Sequence, residues 1–191
     1  MRKSFVQSMK RTVIAAVTAV VAISAVAVPT QAATYYNPYT LYKKAPKKVV
    51  NKFVQSNGTV ERVKNIPGNP GRYQGNHSWV YSGALSTSVN RIKVNCKIQH
   101  VTYHELGHAL AFMYWAERND FSAKFPDETA QWNKIYRKER RKYNFENRGY
   151  VTATSSEYFA QAFATYCLHK KAMKKRLPKS YKYVNKIVKG L

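Results

Sequence analysis

The chain has 191 residues, with 33 Lys and Arg against 9 Asp and Glu, a formal net charge of +24. It holds two cysteines, Cys96 and Cys167, too few for a disulfide-rich scaffold or a four-cysteine structural zinc site and enough for one disulfide at most. No internal repeat or low-complexity tract divides it.

The N-terminus carries Arg2, Lys3, Lys10 and Arg11, then an uncharged run from Val13 to Val28 rich in Ala and Val, then Pro29 and the small residues of Gln31-Ala32-Ala33. Basic, apolar, then small is the pattern of a secretory signal peptide. The run has about 16 residues, short of the roughly 20 that a helix needs to span a bilayer. The expectation is therefore a leader over residues 1–33, cleaved after Ala32 or Ala33, with no transmembrane segment left behind. Residues 34–191 are expected to form one domain, of ordinary single-domain size. Removing the leader takes away four basic residues and no acidic ones, leaving a formal charge of +20. Such a surface attracts polyanions. The basic residues are densest over Lys134–Lys142 and Lys170–Lys179, and neither stretch resembles a helix-turn-helix, a zinc finger or an RNA-recognition strand. The expected location is extracellular, with anionic cell-wall or surface polymers as partners and no specific nucleic-acid recognition.

In chain order, Tyr35 to Tyr39 reads as an irregular aromatic lead-in. Pro46 opens a short helix whose apolar positions Val49, Val50, Phe53 and Val54 share a face, and Asn57-Gly58 stops it. Thr59–Ile66 reads as a strand and Pro67–Gly71 as a turn-rich loop. Trp79–Leu85 and Val89–Val94 read as two more strands. From Gln99 the period changes to that of a helix running to about Glu117. Asp127 is expected to cap a second helix reaching about Tyr143. Ser155 or Ser156 is expected to cap a third, with Phe159, Ala160, Phe163, Ala164 and Cys167 as its buried stripe. Pro178 opens a last amphipathic helix. A small sheet first and helices after gives an α+β fold.

His104-Glu105-Leu106-Gly107-His108 fits the pattern H-E-x-x-H. Four residues apart on a helix, the two imidazoles lie on one face and both can reach one zinc ion. Glu105 beside them is placed as general base toward a water that the metal activates. A catalytic zinc takes a third protein ligand. The position six beyond His108 is Tyr114, so no third histidine stands at the metzincin spacing. Glu157 begins an apolar helix with no other acid near it. A lone carboxylate there is costly unless a cation pairs with it, which makes Glu157 the candidate third ligand.

The segments HELGHA and Glu157-Tyr158-Phe159-Ala160-Gln161-Ala162-Phe163 together resemble the catalytic domain of the anthrax lethal factor family, which includes secreted Pro-Pro endopeptidases. Pro178-Lys179-Ser180-Tyr181-Lys182-Tyr183-Val184-Asn185 resembles that family's closing helix. The resemblance runs from about Ile98 to the C-terminus. It implies a small zincin-like metalloprotease domain, one catalytic Zn2+ held by His104, His108 and Glu157, and Tyr150, seven residues before Glu157, as an oxyanion-stabilising phenol. It also implies an aromatic near the start of the strand over Trp79–Leu85 that packs on substrate proline, so Trp79 and His77 are candidate substrate contacts; Trp79 as plain core is the other reading. Gln161 stands where lethal factor has a glutamate, and lethal factor's large docking and translocation domains have no counterpart here. The leading expectation is a secreted zinc endopeptidase acting on an extended polypeptide, and proline-rich surface proteins are the substrate the resemblance suggests. The alternative, from another class, is a non-catalytic basic module for anionic polymers with a structural zinc; turnover separates the two.

Overall fold

The computed structural model of the protein describes residues 34–64, 71–75, 90–95, 99–118, 120 and 122–191. The expected leader, the strand over Trp79–Leu85, His77 and Cys96 lie outside the described residues. Cys167 carries a free thiol.

Among the described residues four strands make one mixed sheet: β1 (Thr34–Tyr36), β2 (Thr59–Arg62), β3 (Gly71–Gly75) and β4 (Asn90–Val94), in the order β1-β2-β4-β3. β2 and β4 run parallel, while β1 pairs with β2 and β3 with β4 antiparallel. In β4 the period is two, with Asn90, Ile92 and Val94 buried and Arg91 and Lys93 less so. Ile92 sits in register between Val60 and Tyr73, which lines up one apolar row across three strands.

Two of these strands correct the sequence reading. Thr34–Tyr36 is a strand instead of an irregular lead-in, because its backbone groups pair with the outer edge of β2. Gly71 belongs to β3 instead of a loop, and nothing local signals it: Gly-Arg-Tyr-Gln-Gly has glycine at both ends, and its strand character comes from pairing with β4. β2 ends at Arg62, short of the extent expected.

Helix α1 (Pro38–Leu41) is a single turn, and α2 (Lys47–Gln55) buries Val49, Val50 and Phe53. Asn57, at φ 54°, and Gly58, whose N–H bonds the Phe53 carbonyl at 2.8 Å, close α2 as expected. Helix α3 (Gln99–Glu117) keeps its expected bounds and is buried on nearly every side, so it is the central element of the core. Then come α4 (Ala130–Glu139), α5 (Arg148–Val151), α6 (Ser155–Leu168), α7 (Lys170–Arg176) and α8 (Pro178–Gly190). None of the helices among the described residues is long and apolar enough to cross a membrane.

The helix caps are shifted from expectation. Thr129 replaces Asp127 as the cap of α4, its Oγ1 accepting from Trp132 N at 3.1 Å. Asp127 sits one element earlier, in a 3-10 turn over Pro126–Glu128. Thr154 replaces Ser155 or Ser156 at α6, its Oγ1 accepting from Glu157 N at 3.1 Å. In both cases threonine satisfies the orphan N–H groups that begin a helix.

Buried Glu139, at the end of α4, supplies the cap that α8 lacks locally. Its carboxylate accepts from Lys179 N at 3.0 Å, Ser180 N at 2.8 Å and Ser180 Oγ at 2.7 Å. Glu139→Ala orphans all three donors, and a loss of about 2–3 kcal/mol is expected in denaturant unfolding. An unchanged midpoint would show that α8 is held by its apolar face alone.

Candidate active site

Helix α3 carries His104 and His108 one turn apart, and α6 brings Glu157 up to them from its first turn. His104 Nε2 lies 2.9 Å from Glu157 Oε2 and 3.2 Å from His108 Nε2, and His108 Nε2 is 3.7 Å from the same carboxylate oxygen. One donor atom from each residue thus falls within 4.8 Å of the others, a cluster able to hold a metal ion. The chemistry of the set tests the fit further. His104 Nδ1 lies 3.0 Å from the Gln161 amide oxygen. An amide oxygen only accepts, so Nδ1 carries the proton and Nε2 presents its lone pair to the cluster. Two imidazole nitrogens and a carboxylate oxygen suit zinc.

Burial works to raise the Glu157 carboxyl, but pairing with His104 and His108 overcomes it and holds the group well below the usual carboxylate range. It is an anion at neutral pH. Burial pulls the His108 ring down, but the Glu157 carboxylate beside it, with Glu105 and Asp127, outweighs that and raises it. Thr154-x-x-Glu157 has the letters of a capping box, in which the glutamate would turn back to its own helix start. The threonine half forms, while the glutamate side chain is 23% exposed and turned to the histidines.

Glu105, next to His104, is only 7% exposed. Burial pushes its carboxyl up, opposed by the histidines and by a hydrogen bond from the backbone N–H of Tyr73 in β3. A β-carbon placed on Gly71 would stand 2.8 Å from Val101 Cγ1 and 2.9 Å from Glu105 Oε1. The absent side chain of Gly71 therefore leaves the space in which the Glu105 carboxylate sits, and strand β3 closes over it.

Tyr150, on α5, is 45% exposed. Its ring centroid lies 6.3 Å from that of His104. Burial, then the charge and hydrogen bonding of Glu157, raise its phenol above the usual tyrosine range, so it is protonated and able to donate. The structure brings His104, His108 and Glu157 together, with Glu105 beside His104 and the Tyr150 ring near it, while Trp79 and His77 are outside the described residues.

Three residues of the site were not read as part of it from the sequence. Gln161 positions His104, as described. Asp127 is buried beside the start of α6, where Ser155 Oγ donates to its carbonyl at 2.9 Å, and it adds negative charge near His108. Gly107 makes the contact between the two ligand helices: a β-carbon there would stand 2.6 Å from the Ala160 carbonyl oxygen and 2.7 Å from its Cα. The helix spacing of Gly107 against Ala160 could have been suspected from a small residue inside H-E-x-x-H.

An α+β arrangement with His-Glu-x-x-His on its central helix and a glutamate delivered by a later core helix, α6, defines a zincin-like domain. The family described as "Anthrax toxin lethal factor, N- and C-terminal domain" matches residues 57–187, and the chain belongs to that family. Among solved structures it is similar to the PRO-PRO endopeptidase (PPEP-2) from Paenibacillus alvei. That match has 17% sequence identity, covers 80% of this chain and 91% of that chain, and has a TM-score of 0.51. At that identity the likeness is one of fold. No curated protein matches the sequence.

Proposed function

We propose that the protein is a secreted zinc-dependent endopeptidase acting on extended, proline-rich segments of extracellular or surface proteins. The observation that carries the reading is the convergence of His104, His108 and Glu157, with Glu105 buried beside them under β3. Membership of the lethal factor family and the fold shared with a Pro-Pro endopeptidase support it, the latter alone suggesting proline. The leader pattern of residues 1–33 supports export.

Zinc held by His104, His108 and Glu157 would supply a Lewis acid that polarises the scissile carbonyl and acidifies a water molecule. Glu105 takes the proton from the attacking water on a carboxylate oxygen and gives it to the leaving amine nitrogen. The burial of that carboxylate makes it a stronger base than an exposed glutamate, and the Tyr73 N–H favours its charged form. Tyr150 donates its phenolic proton to the developing oxyanion.

An extended substrate needs a free strand edge near the site, and β4, directly before α3, has both of its edges paired. β3 offers such an edge: among the described residues it pairs with β4 alone, and it crosses over Glu105. A substrate adds to its outer edge by main-chain hydrogen bonds. Trp79 and His77 remain proposed contacts to the substrate side chains.

Cleavage of a randomised peptide library, with and without chelator, tests the proposal. Zinc-dependent products support it, and the residues flanking each cut test the proline preference; intact peptides at full zinc occupancy would refute a general endopeptidase. His104→Ala, His108→Ala and Glu157→Ala are each expected to lower zinc affinity by at least about tenfold, read by chelator competition. Full affinity in the Glu157 variant would remove it from the ligand set. Tyr150→Phe is expected to lower kcat about a hundredfold with zinc content unchanged, and parental kcat would exclude the phenol from the oxyanion site.

A further inference from the structure

The positive charge of the chain has no part in the site just described, and part of it lines concave ground. A groove of about 340 Å³ runs between α4 and α8. Its rim carries the exposed Lys134, Lys179, Lys182 and Lys186, and its floor the buried Ile135 and Tyr183. Positions 179, 182 and 186 follow helical spacing, so α8 presents them on one face. No carboxylate lines the groove. Among the described residues none of these four ammonium groups forms an ion pair. Lys134 also stands on the rim of a second hollow across α4, with Lys124, Arg137 and Lys138 and a single carboxylate, Glu128. The carboxylate of Glu139, near the groove lysines, is buried behind the start of α8 and engaged by Lys179 N and Ser180, so the exposed ammonium groups repel one another, and a bound polyanion relieves that repulsion.

The shape and side chains select the kind of polyanion. A planar membrane does not reach the floor of a concave groove, and no exposed apolar side chain stands on its rim to enter one. Nucleic-acid readers offer aromatic platforms for stacking and arginine forks for bases. Here Tyr183 is buried and the four rim cations are all lysine. Ammonium groups are compact point charges that meet a tetrahedral phosphate from any direction. These features fit a thin, flexible chain of phosphate links without bases, and the leader pattern puts such a chain outside the cytoplasm.

We propose that the groove between α4 and α8 binds a linear phosphate-linked polymer of the cell envelope and holds the domain at that surface. Binding of inorganic polyphosphate to the purified protein, measured by titration calorimetry across a salt series, tests the site. Lys182→Gln/Lys186→Gln is compared with Lys43→Gln/Lys47→Gln, which removes the same charge from exposed positions outside the groove. The groove variant is expected to bind at least about tenfold more weakly and to lose about 1.4 from the slope of log K against log salt, two contacts at about 0.7 each. The control pair is expected to stay within about twofold of the parent, and peptide hydrolysis to be unchanged in both. Equal loss in the two pairs, or none in the groove pair, overturns the proposal. Sedimentation with washed cell walls tests the source. Retention abolished by stripping the walls of phosphate polymer supports it, and retention that survives stripping overturns it. Tighter binding to single-stranded oligonucleotide or anionic vesicles than to polyphosphate also overturns it.

Discussion

Glu105→Gln is expected to lower kcat/KM by about 10³-fold while zinc content stays at the parental level. Glutamine keeps the volume of the side chain and an oxygen that can accept the Tyr73 N–H. It cannot take up and return a proton, and loss of a general base costs about 10²–10⁴. The substitution is gentle to the fold, because burial already disfavours the charged form of Glu105 and a neutral amide is cheaper to enclose. Steady-state kinetics with metal analysis on the same sample decides the matter. Activity within tenfold of the parent would mean that another group moves the proton, and metal loss would place Glu105 among the supports of the ligands.

Gly107→Ala is expected to destabilise the protein by about 2 kcal/mol and to weaken zinc binding about tenfold, although no metal ligand is changed. On helix propensity alone, alanine would stabilise by about 1 kcal/mol. Sterics runs the other way. The new methyl group would meet the backbone of Ala160 at 2.6–2.7 Å, and a backbone cannot swing aside as a side chain can. Overpacking of this kind costs about 3 kcal/mol and wins. Relief comes only if α3 and α6 move apart, which draws Glu157 away from His104 and His108. Gly149→Ala is the matched control, since nothing lies within 4 Å of the added carbon, and it is expected to be neutral within about 0.5 kcal/mol. Denaturant unfolding with and without zinc measures both effects, and equal behaviour of the two variants would show that the helices tolerate separation.

Legibility in the sequence followed the range of the forces involved. Helix α3 could be bounded from Gln99 to Glu117 because its apolar run and its motif are local. α8 could be opened at Pro178, since proline fits the first turn of a helix. Glu157 stood out as a lone acid on an apolar helix. β1 and β3 were hidden because their strand character belongs to their partners β2 and β4 and not to their own residues. α7, Lys170–Arg176, was masked by its lysines and buries only Met173. The partners of the ligands were hidden for the same reason: that Gln161 meets His104, that Asp127 stands near His108 and that Gly71 gives room to Glu105 are facts of tertiary contact. The exchange of Asp127 for Thr129 and of Ser155 for Thr154 as caps shows that a run of cap-forming residues names the turn but leaves the choice within it to packing.

The Thr154 cap fixes more than a helix end. It sets the rotational phase of α6, on which Glu157, Ala160 and Gln161 must all face α3 together. Adding or deleting one residue between Thr154 and Gln161 would turn the remainder by about 100° and remove at least one of the three from that face. Changes in chain length are therefore ruinous over this one stretch of eight positions, a constraint on how such a chain can drift that no single side chain expresses.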